Sequence, residues 1–281
     1  LLKERFVRIL VPFIFGIIAI VPLHVFVILD YYDQPLRYQP SAGHLWFLGN
    51  IFAYVLLLAP LFFYLKKYNE GKIARGIKWL FGNPLGLLVA MLVMVSEVLI
   101  VKPSPFELYA QTWHGFFIGL LAFFFGFCFV YSGDKFWAMI SKGKWIFLVV
   151  AAGLYTYRYL ELNLVAAGYM MSIESCLWIF SAFGFAIKYL NRPSKALSYL
   201  SQAAYPVYII HMFMLYGACW LIFPMDLPVM VQFILVVAIT TVGCLGLYEF
   251  VIRRIGFLRP LFGLKVIPRK TEELNLEVKE A

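Results

Sequence analysis

PLGLLVAMLVMVSEVLIV, residues 84–101, is an apolar run with a single ionisable side chain, Glu97. About 20 mostly apolar residues are what a helix needs to cross the hydrocarbon core of a bilayer. Runs of this kind recur along the whole chain, at 9–29, 45–65, 84–101, 115–131, 145–163, 164–190, 204–223 and 229–252. Composition agrees, because 63% of the 281 residues are hydrophobic and 14% charged, well outside the range of a soluble globular domain. The expected fold is all-α, a polytopic transmembrane helix bundle of about eight spans. The fifth and sixth runs are separated only by the polar group Arg158, Glu161 and Asn163.

A net charge of +9 would suit a nucleic-acid binder, so the positions of the basic residues matter. With Leu1 on the cytoplasmic side, that side receives 1–8, 66–83, 132–144, 191–203 with Lys188, and the tail from Arg253. These segments hold three, five, three, three and seven basic residues, 21 of the 24 Lys and Arg. Only Arg37, Lys102 and Arg158 fall opposite. This positive-inside bias predicts cytoplasmic termini and leaves no basic surface for nucleic acid. The first span is too long for a cleaved signal sequence and lacks a small-residue cleavage site. The chain divides into a membrane domain, 1–268, and a polar cytoplasmic tail, 269–281, RKTEELNLEVKEA. Two basic loops with interleaved aromatics, KKYNEGKIARGIKWLF (66–81) and SGDKFWAMISKGKW (132–145), are expected to lie in the membrane interface. Cys128, Cys176, Cys219 and Cys244 fall inside spans without metal-ligand spacing and read as packing residues.

Ionisable groups within the spans are informative, since each costs about 2.5–3.5 kcal/mol at mid-bilayer. His24, His44, Glu97, His114, Arg158 and Glu161 are expected in the outer half of the membrane, and Glu174 near the midplane. His211, counted from a span starting at 204, lies roughly 10–12 Å in from the cytoplasmic side. Together they could form a polar column through the membrane. Arg158 and Glu161, at i and i+3, are expected to neutralise each other. Glu97 and His24 could join their helices by a hydrogen bond. Glu174 needs a partner from another helix. His44 and Trp46, in SAGHLWFLGN (41–50), stand at the extracytoplasmic end of the second span, where Trp belongs to the aromatic belt.

KERFVRILVPFIFG (3–16), with Arg5 and Arg8 in an Arg-x-x-Arg pair, GHLWFL (43–48) and YPVYIIH (205–211) resemble the acyltransferase-3 family of integral membrane acyltransferases. The closing RRIGFLRPLFGLK (253–265) is similar to its subgroup of periplasmic glucan succinyltransferases, glucan biosynthesis protein C. The resemblance implies about ten spans with the catalytic histidine in the first, ahead of the Arg-x-x-Arg loop. The present chain is accordingly expected to be N-terminally truncated by about two helices, its principal base lying upstream of Leu1. The implied reaction moves an acetyl or succinyl group from cytoplasmic acyl-CoA to a hydroxyl of an extracytoplasmic glycan. Acyl-CoA would be a co-substrate, with no bound cofactor and no metal. Arg5 and Arg8 would hold its phosphates. His44, Trp46, Arg158 and Glu161 would face the acceptor, and Glu174 and His211 are candidate contributors to catalysis. Expected partners are membrane lipid, acyl-CoA and a carbohydrate acceptor, in a bacterial inner membrane. A transporter or flippase of lipid-linked glycans is the alternative, and a non-catalytic membrane subunit a third reading, although no matching halves are visible in the sequence.

Overall fold

The computed structural model describes residues 6–265. Arg5 and the tail 269–281 lie outside the described residues. Eight helices are long and apolar enough to cross a membrane. They are α1 (Phe6–Tyr31), α2 (Gly43–Lys67), α4 (Pro84–Val101), α5 (Trp113–Tyr131), α6 (Asp134–Glu161), α7 (Gly168–Leu190), α8 (Lys195–Ile222) and α9 (Val229–Ile252). Two shorter helices, α3 (Lys72–Phe81) and α10 (Leu258–Leu261), complete the described residues' helices of four residues or more. In α1, π-helical turns at Phe6–Leu10 and Gly16–Ile20 precede Pro12 and Pro22. Proline supplies no N–H to the preceding turn, and the wider turn absorbs the mismatch.

Two of the expected loops are helical instead. Residues 134–144 form the first three turns of α6, and 195–203 open α8, so each helix runs 28 residues, roughly 42 Å at the usual rise. That exceeds a hydrocarbon core of about 30 Å by two turns or more. The segment 132–145 is therefore helix rather than loop from Asp134 on: Phe136 and Ile140 are fully buried, and Phe136 stacks on Phe129 at 4.4 Å. Charge at Lys142 and Lys144 suggested a break, yet nothing there interrupts a helix. The Lys144 ammonium donates to the Ser141 carbonyl at 2.8 Å and sits over the Phe185 ring, which lets it stay inside. In α3, Ala74 and Phe81 are buried while Ile73 and Trp79 are exposed.

The described residues pack as two units, 6–52 with 194–265, and 53–193. In the first, α8 packs against both α1 and α9. In the second, α7 packs against α6 and α4 around a core rich in rings: Phe81, Phe125, Phe129, Phe136 and Phe180. Helices α6 and α7 approach closely at Gly184, where a Cβ would stand 2.6 Å from the Ile140 carbonyl oxygen. Large apolar side chains point outward along the spans, Ile100, Val229 and Val242 among them. That inverted distribution is what helices facing acyl chains require.

Candidate active site

Three histidines from three helices meet in the first unit. His44, in the opening turn of α2, lies with its ring centroid 5.1 Å from that of His211 in α8 and 5.5 Å from that of His24 in α1. Backbone carbonyls fix two of the rings. His44 Nε2 is 3.1 Å from the Ile209 oxygen, and His211 Nδ1 is 2.7 Å from the Tyr208 oxygen. A carbonyl only accepts, so each of these nitrogens carries the proton. When the rings are neutral, the lone pairs are left on His44 Nδ1 and His211 Nε2. The Tyr208 hydroxyl donates to the His44 carbonyl at 2.6 Å, tying the start of α2 to α8. His44 Nδ1 and His24 Nδ1 are buried with no hydrogen-bond partner. His24 also stacks on Tyr216 at 5.5 Å.

The helix that carries His211 starts nine residues earlier than the apolar run that begins at 204. Counting from Lys195 rather than from 204 places it sixteen residues into its helix, roughly 24 Å along the axis. At that position it reaches His44, so the first unit gathers three of its histidines into one cluster. His24 belongs to this cluster. Nothing in its sequence spacing marks it, because the three histidines come from separate helices.

The expected Glu97–His24 bond is replaced by one within the second unit. Glu97 of α4 takes the His114 Nδ1–H, with both carboxylate oxygens 3.0 Å away, and His114 Nε2 is buried without a partner. Phe106 and Tyr109 cover that imidazole at 5.2 Å each. Burial, with Glu107 and Glu97 nearby, pushes the Tyr109 phenol above its ordinary range. Arg158 pairs with Glu174 rather than neutralising Glu161: its Nε and Nη2 donate to the two Glu174 oxygens at 3.0 and 3.3 Å, and Nη1 donates to the Leu164 carbonyl. The i+3 spacing loses because the loop after Glu161 bends back, with Asn163 and Leu164 at positive φ, and offers Arg158 the Leu164 carbonyl, while α7 supplies the buried Glu174 carboxylate. Glu174 thus finds its partner on another helix, and also accepts from Trp178 Nε1 at 3.4 Å. Glu161 is exposed.

Of the other expected substrate-binding residues, Arg8 lies partly buried in the first turns of α1 and Trp46 partly buried in α2, its ring beside Phe47 at 5.9 Å. Among the described residues no group of three or more His, Cys, Asp or Glu is arranged to hold a metal ion. What the site offers is a set of imidazole nitrogens, with the His44 and His211 rings oriented by backbone carbonyls.

No curated protein and no solved structure matches the chain. Residues 1–249 match the family model described as an acyltransferase domain. The match covers the Arg8 turn, the His24–His44–His211 cluster and the eight spanning helices, stopping three residues short of the end of α9. It ends before 253–265, the segment that resembles the glucan succinyltransferase subgroup, and that subgroup has no support from it. A multi-pass helical chain matched over this length belongs to the acyltransferase-3 family of membrane acyltransferases.

Proposed function

We propose that this acyltransferase moves a short acyl group, acetyl or succinyl, from acyl-CoA to a hydroxyl of an extracytoplasmic glycan, with the histidine cluster on the acceptor's side. The observation that carries the reading is the apposition of His44 and His211, each held by a carbonyl so that one nitrogen keeps a lone pair. A sugar hydroxyl is a weak nucleophile and needs a base of near-neutral pKa. Its oxygen attacks the thioester carbonyl carbon while its proton passes to an imidazole nitrogen. The tetrahedral intermediate then expels the CoA sulfur, which takes that proton to leave as the thiol. In this reading His44 and His211 take part by accepting or orienting the hydroxyl. Arg5 and Arg8 are assigned to the donor's phosphates. Arg158 holds Glu174 as a paired carboxylate, a supporting role for both. The choice of succinyl and of a glucan rests on the resemblance of 253–265.

The test uses membranes containing the protein, supplied with acetyl-CoA or succinyl-CoA labelled in the acyl group, and follows the label into glycan. Label should reach glycan, and His211→Ala should slow transfer about a hundredfold, the usual effect of removing a proton-transfer group. Transfer unchanged by both His44→Ala and His211→Ala would remove the cluster from the mechanism. Label that enters no carbohydrate from either donor would overturn the acceptor assignment.

A further inference from the structure

A cavity of about 370 Å³ opens between the last turns of α1 and α8, lined by Tyr31, Tyr32, Tyr216, Trp220 and Phe223 over a floor that includes Val27 and Ile28. Its size falls in the range of small-molecule sites, roughly 300–1,000 Å³. A second cavity of about 350 Å³ adjoins it and shares Val27 and Trp220, so the indole stands as a partition between the two. We propose that these paired cavities are the subsite for the carbohydrate acceptor, successive sugar units lying against the two sides of Trp220. The proposal rests on the reading that the acceptor is a glycan.

The chemistry of the lining selects a sugar over a lipid chain. Trp220 is immobilised by a 2.9 Å hydrogen bond from Nε1 to Asp30 Oδ2, which fixes the indole plane. Asp30 Oδ1 keeps its accepting capacity for a hydroxyl, and Asp30 lines the second cavity. Tyr31, Tyr32 and Tyr216 add phenolic donors beside apolar ring faces, the pairing that suits a molecule with one face of C–H groups and an edge of hydroxyls. An acyl chain would offer nothing to Asp30 Oδ1 or the phenols and would strip water from them. The position fits as well. Tyr31 ends α1 and Phe223 follows α8, so the cavities lie at one end of the helices. Tyr216, a wall of the first cavity, stacks on His24, which in turn meets His44. A sugar in this cavity is thus one ring away from the histidine cluster.

The experiment measures retention of a tritiated short gluco-oligosaccharide by the protein in lipid nanodiscs, beside the labelled acyl-CoA transfer assay. Trp220→Ala should weaken retention and raise the acceptor KM about tenfold, leaving the acyl-CoA KM as it is. Trp220→Phe, which keeps a ring and the packing, should recover most of both, and Asp30→Asn should fall between. Retention and acceptor KM within twofold of wild type in both Trp220→Ala and Asp30→Asn would overturn the subsite, as would a wild type that retains no sugar and so leaves the cavities to lipid. Retention that depends on Trp220 without any transfer would uphold the subsite and sink the acyl-transfer reading for that sugar. Transfer that ignores Trp220 would do the reverse.

Discussion

Two buried pairs show how single residues are held at low dielectric. The Glu97–His114 pair is almost fully enclosed, so Glu97→Leu would leave both imidazole nitrogens buried with nothing to bond. That loss costs about 1–3 kcal/mol and should appear as a lowered melting temperature in detergent. Glu97→Gln keeps an accepting oxygen for Nδ1–H and should lose clearly less. Equal losses in the two variants would mean that the carboxyl's shape, and not its hydrogen bond, holds α4 to α5. Arg158 makes three contacts with one planar group, reaching both Glu174 oxygens and the Leu164 carbonyl. Lysine has one ammonium and cannot span them. Arg158→Lys should therefore destabilise measurably, by about 1–3 kcal/mol, even though charge is conserved. Unchanged thermal unfolding in Arg158→Lys would reduce the contact to a simple charge pair.

Helix packing depends on where small residues sit. At Gly184 a Cβ would press on the Ile140 carbonyl and on Lys144 Cβ, whereas at Gly126 no atom lies within 4 Å. Both are mid-helix glycines with apolar neighbours, so propensity alone predicts a gain of up to about 1 kcal/mol for alanine at either. The structure separates them. Gly126→Ala should leave unfolding unchanged or slightly raise the midpoint, and Gly184→Ala should cost about 1–3 kcal/mol as α6 and α7 are forced apart. Both contrasts are read in one thermal series, and a Gly184→Ala variant as stable as Gly126→Ala would contradict the close approach. The same distinction sets what was legible beforehand. The existence and number of the spans follow from apolar run length, and the expected boundaries of α4 and α9 match the observed helices. The extra turns at Asp134 and Lys195 were hidden because charged residues in a long helix look like loop when only hydropathy is read. Partner choices such as Glu97 with His114 and Arg158 with Glu174 were not legible, because run length says nothing about how helices rotate toward one another.

At the scale of the whole molecule, charge and length together make the chain a vector, and the proposed chemistry depends on its direction. With eight candidate spans among the described residues, the positive-inside bias leads us to expect both ends of the membrane domain on the cytoplasmic side. Helix α2 makes the point within one element: His44 stands at its start and Lys66 and Lys67 at its end, 25 residues that are enough to cross the full hydrocarbon thickness. The loop before it, 32–42, follows directly from the aromatic cavity and carries Arg37. A cysteine at Arg37 should therefore react with an impermeant maleimide added to intact spheroplasts, while one at Arg75 in α3 should react only after permeabilisation. Background is manageable, because Cys128, Cys176 and Cys244 are buried and only Cys219 is partly open, so Cys219→Ala clears the field. Were Arg75 the position labelled from outside, the aromatic cavity would share a side with cytoplasmic acyl-CoA, and a donor's adenine, not an acceptor's sugar, would become the natural occupant of the Trp220 site.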